Sequence, residues 1–402
     1  MFFLALVQSS LGTGAAYVAL VVLAYERYRS AWAISAVLLA ELLPSMVFGP
    51  VLGAAADRWS RRSCLIVADV LRAGAFVAIA FVPGIELTIL FALVAGLGTA
   101  LFKPAGLASL PSLVDSDNRP AATSLYGAIV DLGFTAGPAV AAVGLLFGNA
   151  EAVLFVNGIT FVVSAGVLAR LDFGARAPST VSRAEPGLWR EASEGVAAVA
   201  GMPGMRLVIA ASTGALLCAG FFNVAELPFA KEGLGTGDAG FSILVALFGA
   251  GFIVGSLTGA GGGSAQLLKR RYIGGIVVMA VGFVSCGLSS SLAIALAAFA
   301  LAGFGNGVLL VHERLLIQET VADRLQGRVF AISDTLVNWG FGVAFLSAGA
   351  VLSVAGPREV ILAAGAAALL VGLVTAIALR SQWPADEEAD RVPLSRSAHA
   401  TR

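Results

Sequence analysis

Twelve runs of roughly twenty predominantly apolar residues dominate this chain, each long enough to cross the hydrocarbon layer of a bilayer as a helix. They fall at 3–24, 32–55, 63–83, 87–110, 121–147 and 151–170, and again at 205–230, 238–261, 272–290, 292–312, 328–353 and 359–380. Inside lipid no water is present to satisfy backbone groups, so only helices and closed barrels can span. Runs of this length select helices. Composition agrees: 58% of the 402 residues are apolar and 12% charged, against roughly a quarter charged in a soluble domain. A mean hydropathy of +0.91 leaves more apolar surface than a soluble core hides, and 48 glycines suit helices whose backbones approach closely. The expectation is an all-α membrane protein of twelve transmembrane helices in a lipid bilayer.

The basic residues orient it. Nineteen Lys and Arg fall in the loops and tail on one side, and only Arg27, Arg29, Lys231 and Arg358 on the other. By the positive-inside rule both termini are expected in the cytoplasm, in a cell inner membrane. Met1-Phe2-Phe3-Leu4 enters the first run with no basic leader, which reads as a spanning helix rather than a cleaved signal. The polar stretch 171–203 separates an N-terminal six-helix bundle (1–170) from a C-terminal one (204–380), and 190–200 within it reads as an amphipathic helix on the inner face. The tail 381–402, with Asp386-Glu387-Glu388, reads as disordered. Zero net charge argues against a nucleic-acid partner, and a monomer is expected. Three isolated cysteines and two histidines support neither a disulfide framework nor a metal centre, and no cofactor motif is present.

The halves resemble each other at an offset of about 207 residues. Gly49-Pro50-Val51-Leu52-Gly53 ends the second run and Gly255-Ser256-Leu257-Thr258-Gly259 the eighth; Arg61-Arg62 follows one and Lys269-Arg270-Arg271 the other. Two six-helix repeats with a site between them is an alternating-access architecture.

With these residues in view, the chain resembles the major facilitator superfamily over nearly its whole length. Gly53-Ala54-Ala55-Ala56-Asp57-Arg58-Trp59-Ser60-Arg61-Arg62 is similar to that family's signature between helices 2 and 3, with Ser60 where glycine is usual. Gly133-Phe134-Thr135-Ala136-Gly137-Pro138 is similar to a motif associated with its exporters, without the glycines that commonly follow. Phe102-Lys103-Pro104-Ala105, Leu110-Pro111-Ser112-Leu113-Val114, the stretch Trp189 to Gly195 and Gln318 to Arg328 resemble bacterial exporters that include macrolide-efflux and enterobactin-export proteins. Two departures stand out: Thr13 follows Gly12 where many relatives have an acid, and Lys103 is the only base of helix 4. The resemblance implies a cytoplasmic gate of Gly53, Asp57, Arg58, Arg61 and Arg62, whose carboxylate latches the halves against the start of helix 11, from Arg328 to Asp334. The alternative is that Arg61 and Arg62 only fix topology.

Ionisable residues deep in spans are functional candidates, because burying each costs a few kcal/mol or more. Glu41 lies well inside helix 2 and Asp131 near the middle of helix 5. Desolvation favours a neutral carboxyl, so such acids can exchange a proton between two states; either or both are candidates for a coupling proton, against a role as neutral hydrogen-bonding groups. Asp69 and Arg72 stand at i and i+3 and are read as a structural pair. Lys103 is a substrate-site candidate that can equally snorkel to the inner face. Glu226 and Asp334 are read as capping or gating residues, and His312-Glu313-Arg314 as the inner end of helix 10 with a local ion pair. Gln8, Thr13, Tyr17, Tyr126, Asn157, Asn223, Asn306, Asn338 and Trp339 are cavity candidates that can also bond between helices; Asn338 falls opposite Asp131 by the repeat offset.

The expected function is a secondary transporter, proton-coupled, exporting a small amphipathic molecule, a drug or siderophore-like compound. The alternative is a lipid or lysophospholipid translocator, or an uptake permease, of the same fold. No HExxH, GxSxG or Walker A sequence occurs, so an enzyme or an ATP-driven pump is not expected.

Overall fold

A computed structural model describes residues 1–115, 118–171, 173, 196–197 and 199–382. Among these it shows twelve long α-helices: α1 (Phe2–Tyr28), α2 (Ala31–Arg58), α3 (Arg61–Phe81), α4 (Ile85–Leu113), α5 (Arg119–Phe147), α6 (Ala150–Arg170), α7 (Pro203–Pro228), α8 (Asp238–Leu257), α9 (Ala265–Leu288), α10 (Leu292–Thr320), α11 (Asp323–Val354) and α12 (Pro357–Gln382). Eleven apolar stretches are long enough to cross a membrane; α5 contributes two shorter ones, Ala121–Val130 and Ala136–Phe147, among the described residues. The stretch 190–200 falls almost wholly outside the described residues, as does the tail beyond Gln382.

The helices run past the apolar windows at their charged ends. The turn expected across residues 57–62 shrinks to Trp59 and Ser60: α2 continues through Arg58, and α3 begins at Arg61 with the Ser60 side chain accepting from the Ser63 N–H at 3.0 Å. Likewise α9 starts at Ala265, so Lys269, Arg270 and Arg271 lie on the helix, and α11 starts at Asp323. Hydropathy marks only the hydrocarbon-matched part of a helix, whereas backbone bonding continues into the interface, where Arg270 is exposed while Lys269 is buried. The same correction applies to α10. It does not end near His312 but runs to Thr320, with His312 and Glu313 both buried. Glu313 accepts from Ser333 Oγ of α11 at 2.5 Å, a bond between helices.

Helix contacts reproduce the sequence repeat. In the first half α1 packs on α5 and α6, α3 on α4 and α6, and α2 on α4; in the second, α7 packs on α11 and α12, α9 on α10 and α12, and α8 on α10. Raising each helix number by six converts one scheme into the other. The halves meet through α2 with α11 and α5 with α8, contacts that exchange under the same operation. Close seams depend on missing side chains. A Cβ on Gly133 would lie 2.5 Å from the Ser10 backbone, and one on Gly137 2.5 Å from the Gly14 Cα, so α1 and α5 touch backbone to backbone. Outside, α12 turns Leu370, Leu373, Val374 and Ile377 outward. That i, i+3, i+4, i+7 stripe is apolar on the exposed face, as lipid requires.

Candidate functional site

The polar groups lie in layers along the seam between the halves. The first layer closes the end of the bundle remote from the N-terminus. Tyr25 Oη donates to Glu232 Oε1, and Lys231 Nζ reaches Glu26 Oε1 at 2.8 Å and Asp238 Oδ1 at 2.6 Å. The same ammonium stands 5.8 Å from the Tyr25 ring centre. Pro228, which has no N–H to donate, is followed by a π turn, Phe229–Gly233, that carries Lys231 and Glu232. Such turns insert a residue and re-aim side chains, here toward α1.

Two arginines brace this end. Arg27 donates to the carbonyls of Ile79 (3.1 Å), Ala80 (3.1 Å) and Val82 (2.5 Å), and to Glu151 (3.0 Å). Arg358 donates to the carbonyls of Gly287 and Gly233, each at 3.0 Å, and to that of Ser289. Both satisfy the free carbonyls and the negative dipole end of corresponding helices, α3 and α9. Arg29 ends α1 in the left-handed region, φ 48°. The four basic residues that break the positive-inside pattern therefore each have a structural position at this end.

One layer deeper, Glu41 of α2 and Glu226 of α7 face the seam with Tyr17 of α1. The Tyr17 hydroxyl is buried and has no hydrogen-bond partner among the described residues. Glu226 is 4% exposed, whereas Glu41 is partly exposed. Neither makes a hydrogen bond or ion pair among the described residues. Glu226 is thus no helix cap. It lies two turns inside the end of the π turn and is buried, on a helix that touches both α1 and α2. The apolar run ending near residue 230 concealed this, because the helical path continues past it.

Among the described residues, two further pairs of charges are matched. Asp69 and Arg72 form a buried ion pair. The Arg72 guanidinium lies between the rings of Phe102 and Phe161, 4.2 Å from each centre. Gly98 leaves room for it, since a Cβ there would lie 2.7 Å from Arg72 Cγ. Lys103 of α4 reaches Asp334 of α11 at 3.7 Å, across the halves, with both side chains about two-thirds exposed. Asn338 is partly exposed one turn further along α11.

At the N-terminal end, Gly53, Asp57 and Arg58 occupy the last turns of α2, and their side chains fall outside the described part of the structure, as does that of Asp131 on α5. Arg61 donates to Ser112 Oγ of α4 at 3.3 Å, and Arg62 is exposed. In the second half Arg271 donates to the carbonyls of Thr258 and Gly262, each at 3.3 Å, binding the end of α8. Gly133 and Gly137 form the α1–α5 contact described above, with Pro138 buried beside them.

Two six-helix halves related by a repeat, a polar seam between them and an apolar exterior define a multi-pass membrane transporter. The sequence model of the Major Facilitator Superfamily matches residues 2–257 and 208–400, and the chain belongs to that family. Among similar proteins is the multidrug efflux pump Tap of Mycobacterium tuberculosis, 27% identical over 97% of this chain and 94% of that protein. The putative bacilysin exporter BacE of Bacillus subtilis is 26% identical over 77% of each chain. Macrolide efflux protein A of Streptococcus pyogenes is 22% identical over 78% of this chain and 79% of its own. The fold matches the crystal structure of the nucleoside transporter NupG with a TM-score of 0.72 at 14% identity, over 94% of this chain and 99% of that one.

Proposed function

We propose that this chain is a secondary transporter that exports a small amphipathic molecule by alternating access, driven by protons, with both termini in the cytoplasm of a bacterial cell. The exporter relatives support the direction, and their cargoes support the substrate class. The observation that carries the coupling is the pair of acids Glu41 and Glu226, well inside their helices and without a hydrogen bond or ion pair among the described residues. An ionised carboxylate held there is expensive, so a proton is the neutralising partner available in every cycle. Glu41, Asp131 or both carry that proton in this reading. Asp57 with Arg58, Arg61 and Arg62 forms the latch at the N-terminal end, opposed to the Lys231 lock at the other.

The experiment is a resistance screen of the expressed protein in a pump-deficient host, with and without an uncoupler. Transport of the compound it identifies is then followed in proteoliposomes under an imposed pH gradient. Accumulation that collapses with the gradient, and coupling lost in Glu41→Gln/Asp131→Asn, are the expected results. Accumulation indifferent to the gradient overturns proton drive, and coupling unchanged in the double variant overturns the assignment of the acids.

A further inference from the structure

Away from the Lys231 lock, Lys103 and Asp334 are the charges that join the two halves among the described residues. Lys103 lies about three turns before the α4 end at Leu113, and Asp334 about three turns after the α11 start at Asp323, roughly 15 Å into the bundle. The seam is tight beside them and open at them. A Cβ on Gly96 would strike the Glu41 backbone, and one on Gly342 would come within 2.6 Å of Met46 Cε, so α2 is wedged against both α4 and α11 at that level. About two turns nearer the N-terminal end of the bundle, the Lys103 and Asp334 side chains are 69% and 66% exposed. Charges exposed at that depth are too costly in hydrocarbon, so the space they share is aqueous. Their nearest atoms stand 3.7 Å apart, beyond hydrogen-bond distance, and neither side chain makes a hydrogen bond among the described residues. An exposed pair held so loosely exchanges partners readily. Asp334 is nonetheless firmly placed, because the preceding Ser333 ties α11 to Glu313 of α10. Asn338 and Phe341 follow Asp334 at i+4 and i+7 on the same face of α11, and the Phe341 ring centre stands 5.8 Å from that of Phe345. That face passes from a charge through an amide to an aromatic surface.

We propose that Lys103 and Asp334 bind a zwitterionic cargo, whose carboxylate takes Lys103 and whose ammonium takes Asp334, with its apolar body along α11 toward Phe341. A cargo with a single charge, on entering the pair, leaves either Lys103 or Asp334 without a counter-ion. A zwitterion replaces both members at once and brings no net charge into the seam. Each new contact is a charge-assisted hydrogen bond, stronger than the loose pair it displaces. Because the two side chains come from opposite halves, the bound molecule bridges the halves where the ion pair had bridged them. The inference narrows the small amphipathic cargo proposed above and rests on that reading.

The test uses the purified full-length protein in a non-ionic detergent at about pH 6.5, where both termini of a peptide are charged. Binding of three forms of one probe is measured by calorimetry: leucylphenylalanine, its N-acetyl form with the carboxylate alone, and its C-terminal amide with the ammonium alone. The zwitterion is expected to bind about tenfold more tightly than either singly charged form. Lys103→Gln is expected to bring the zwitterion to the level of the amide without weakening the amide. Asp334→Asn is expected to bring it to the level of the N-acetyl form. No saturable binding of the zwitterion, equal binding of the three forms, or a preference that survives either variant overturns the site. Should either variant fail to fold, Lys103→Met and Asp334→Ser carry the same comparison. Binding is read without a gradient, so its failure leaves gradient-driven transport standing, and a failure of proton drive leaves this binding untouched.

Discussion

At the scale of single residues, the structure separates charges that hold the protein together from charges that have work left to do. Arg72 belongs to the first kind: paired with Asp69, lying between Phe102 and Phe161, and admitted by Gly98. Removing one member of a buried pair leaves the other uncompensated, at a cost of about 3–5 kcal/mol, whereas replacing both by apolar groups is far less harmful. Arg72→Met is therefore expected to lower the thermal unfolding midpoint in detergent by several degrees, and Asp69→Ala/Arg72→Met to recover much of the loss. A double variant no more stable than the single one contradicts this account. The i, i+3 spacing was enough to expect the pair from sequence. The aromatic sandwich was not, because Phe102 and Phe161 come from two other helices and nothing local marks them. Glu226 shows the opposite limit. Its sequence position suggests a helix end, and only the π turn that prolongs α7 makes it an interior acid.

At the scale of helices, apolar run length located all twelve long helices of the described residues but not their charged ends, for the reason visible at α9 and α11: the backbone does not stop bonding where the hydrocarbon stops. The glycine motif of α5 was legible as a resemblance, while its physical task was not. Its partners, Ser10 and Gly14, lie more than a hundred positions earlier. That task makes a sharp prediction within one helix. Gly137→Ala drives a methyl into the Gly14 backbone and is expected to destabilise the α1–α5 seam by about 1–3 kcal/mol, as overpacking does. A Cβ on Gly127 of the same helix meets nothing within 4 Å, so Gly127→Ala is expected to be neutral or to gain up to about 1 kcal/mol of helix propensity. Midpoints for the two variants in one detergent decide the matter. Equal effects would mean that α5 responds to helix propensity and not to contact with α1.

At the scale of the whole molecule, the repeat fixes which helices meet, and sequence could reveal it because glycines and basic clusters recur at one offset. The lock at the far end was not legible. Tyr25 and Glu26 find Glu232 and Lys231 across some two hundred residues, and no periodicity announces a contact between halves. Lys231 is its hub, holding Glu26 and Asp238 apart from direct repulsion while Glu232 binds Tyr25. These groups are partly exposed, so each pair contributes at most about 1 kcal/mol. Losing the hub removes two such pairs and leaves acids facing one another. Lys231→Ala is then expected to shift the conformational equilibrium about tenfold toward opening at that end. Asp57→Asn, at the latch proposed for the opposite end, is expected to shift it the other way. Spin-label pairs placed across each end report both populations by distance distributions. Movement of the two variants in the same direction, or of neither, would remove the lock and the latch as opposing elements of one alternating cycle.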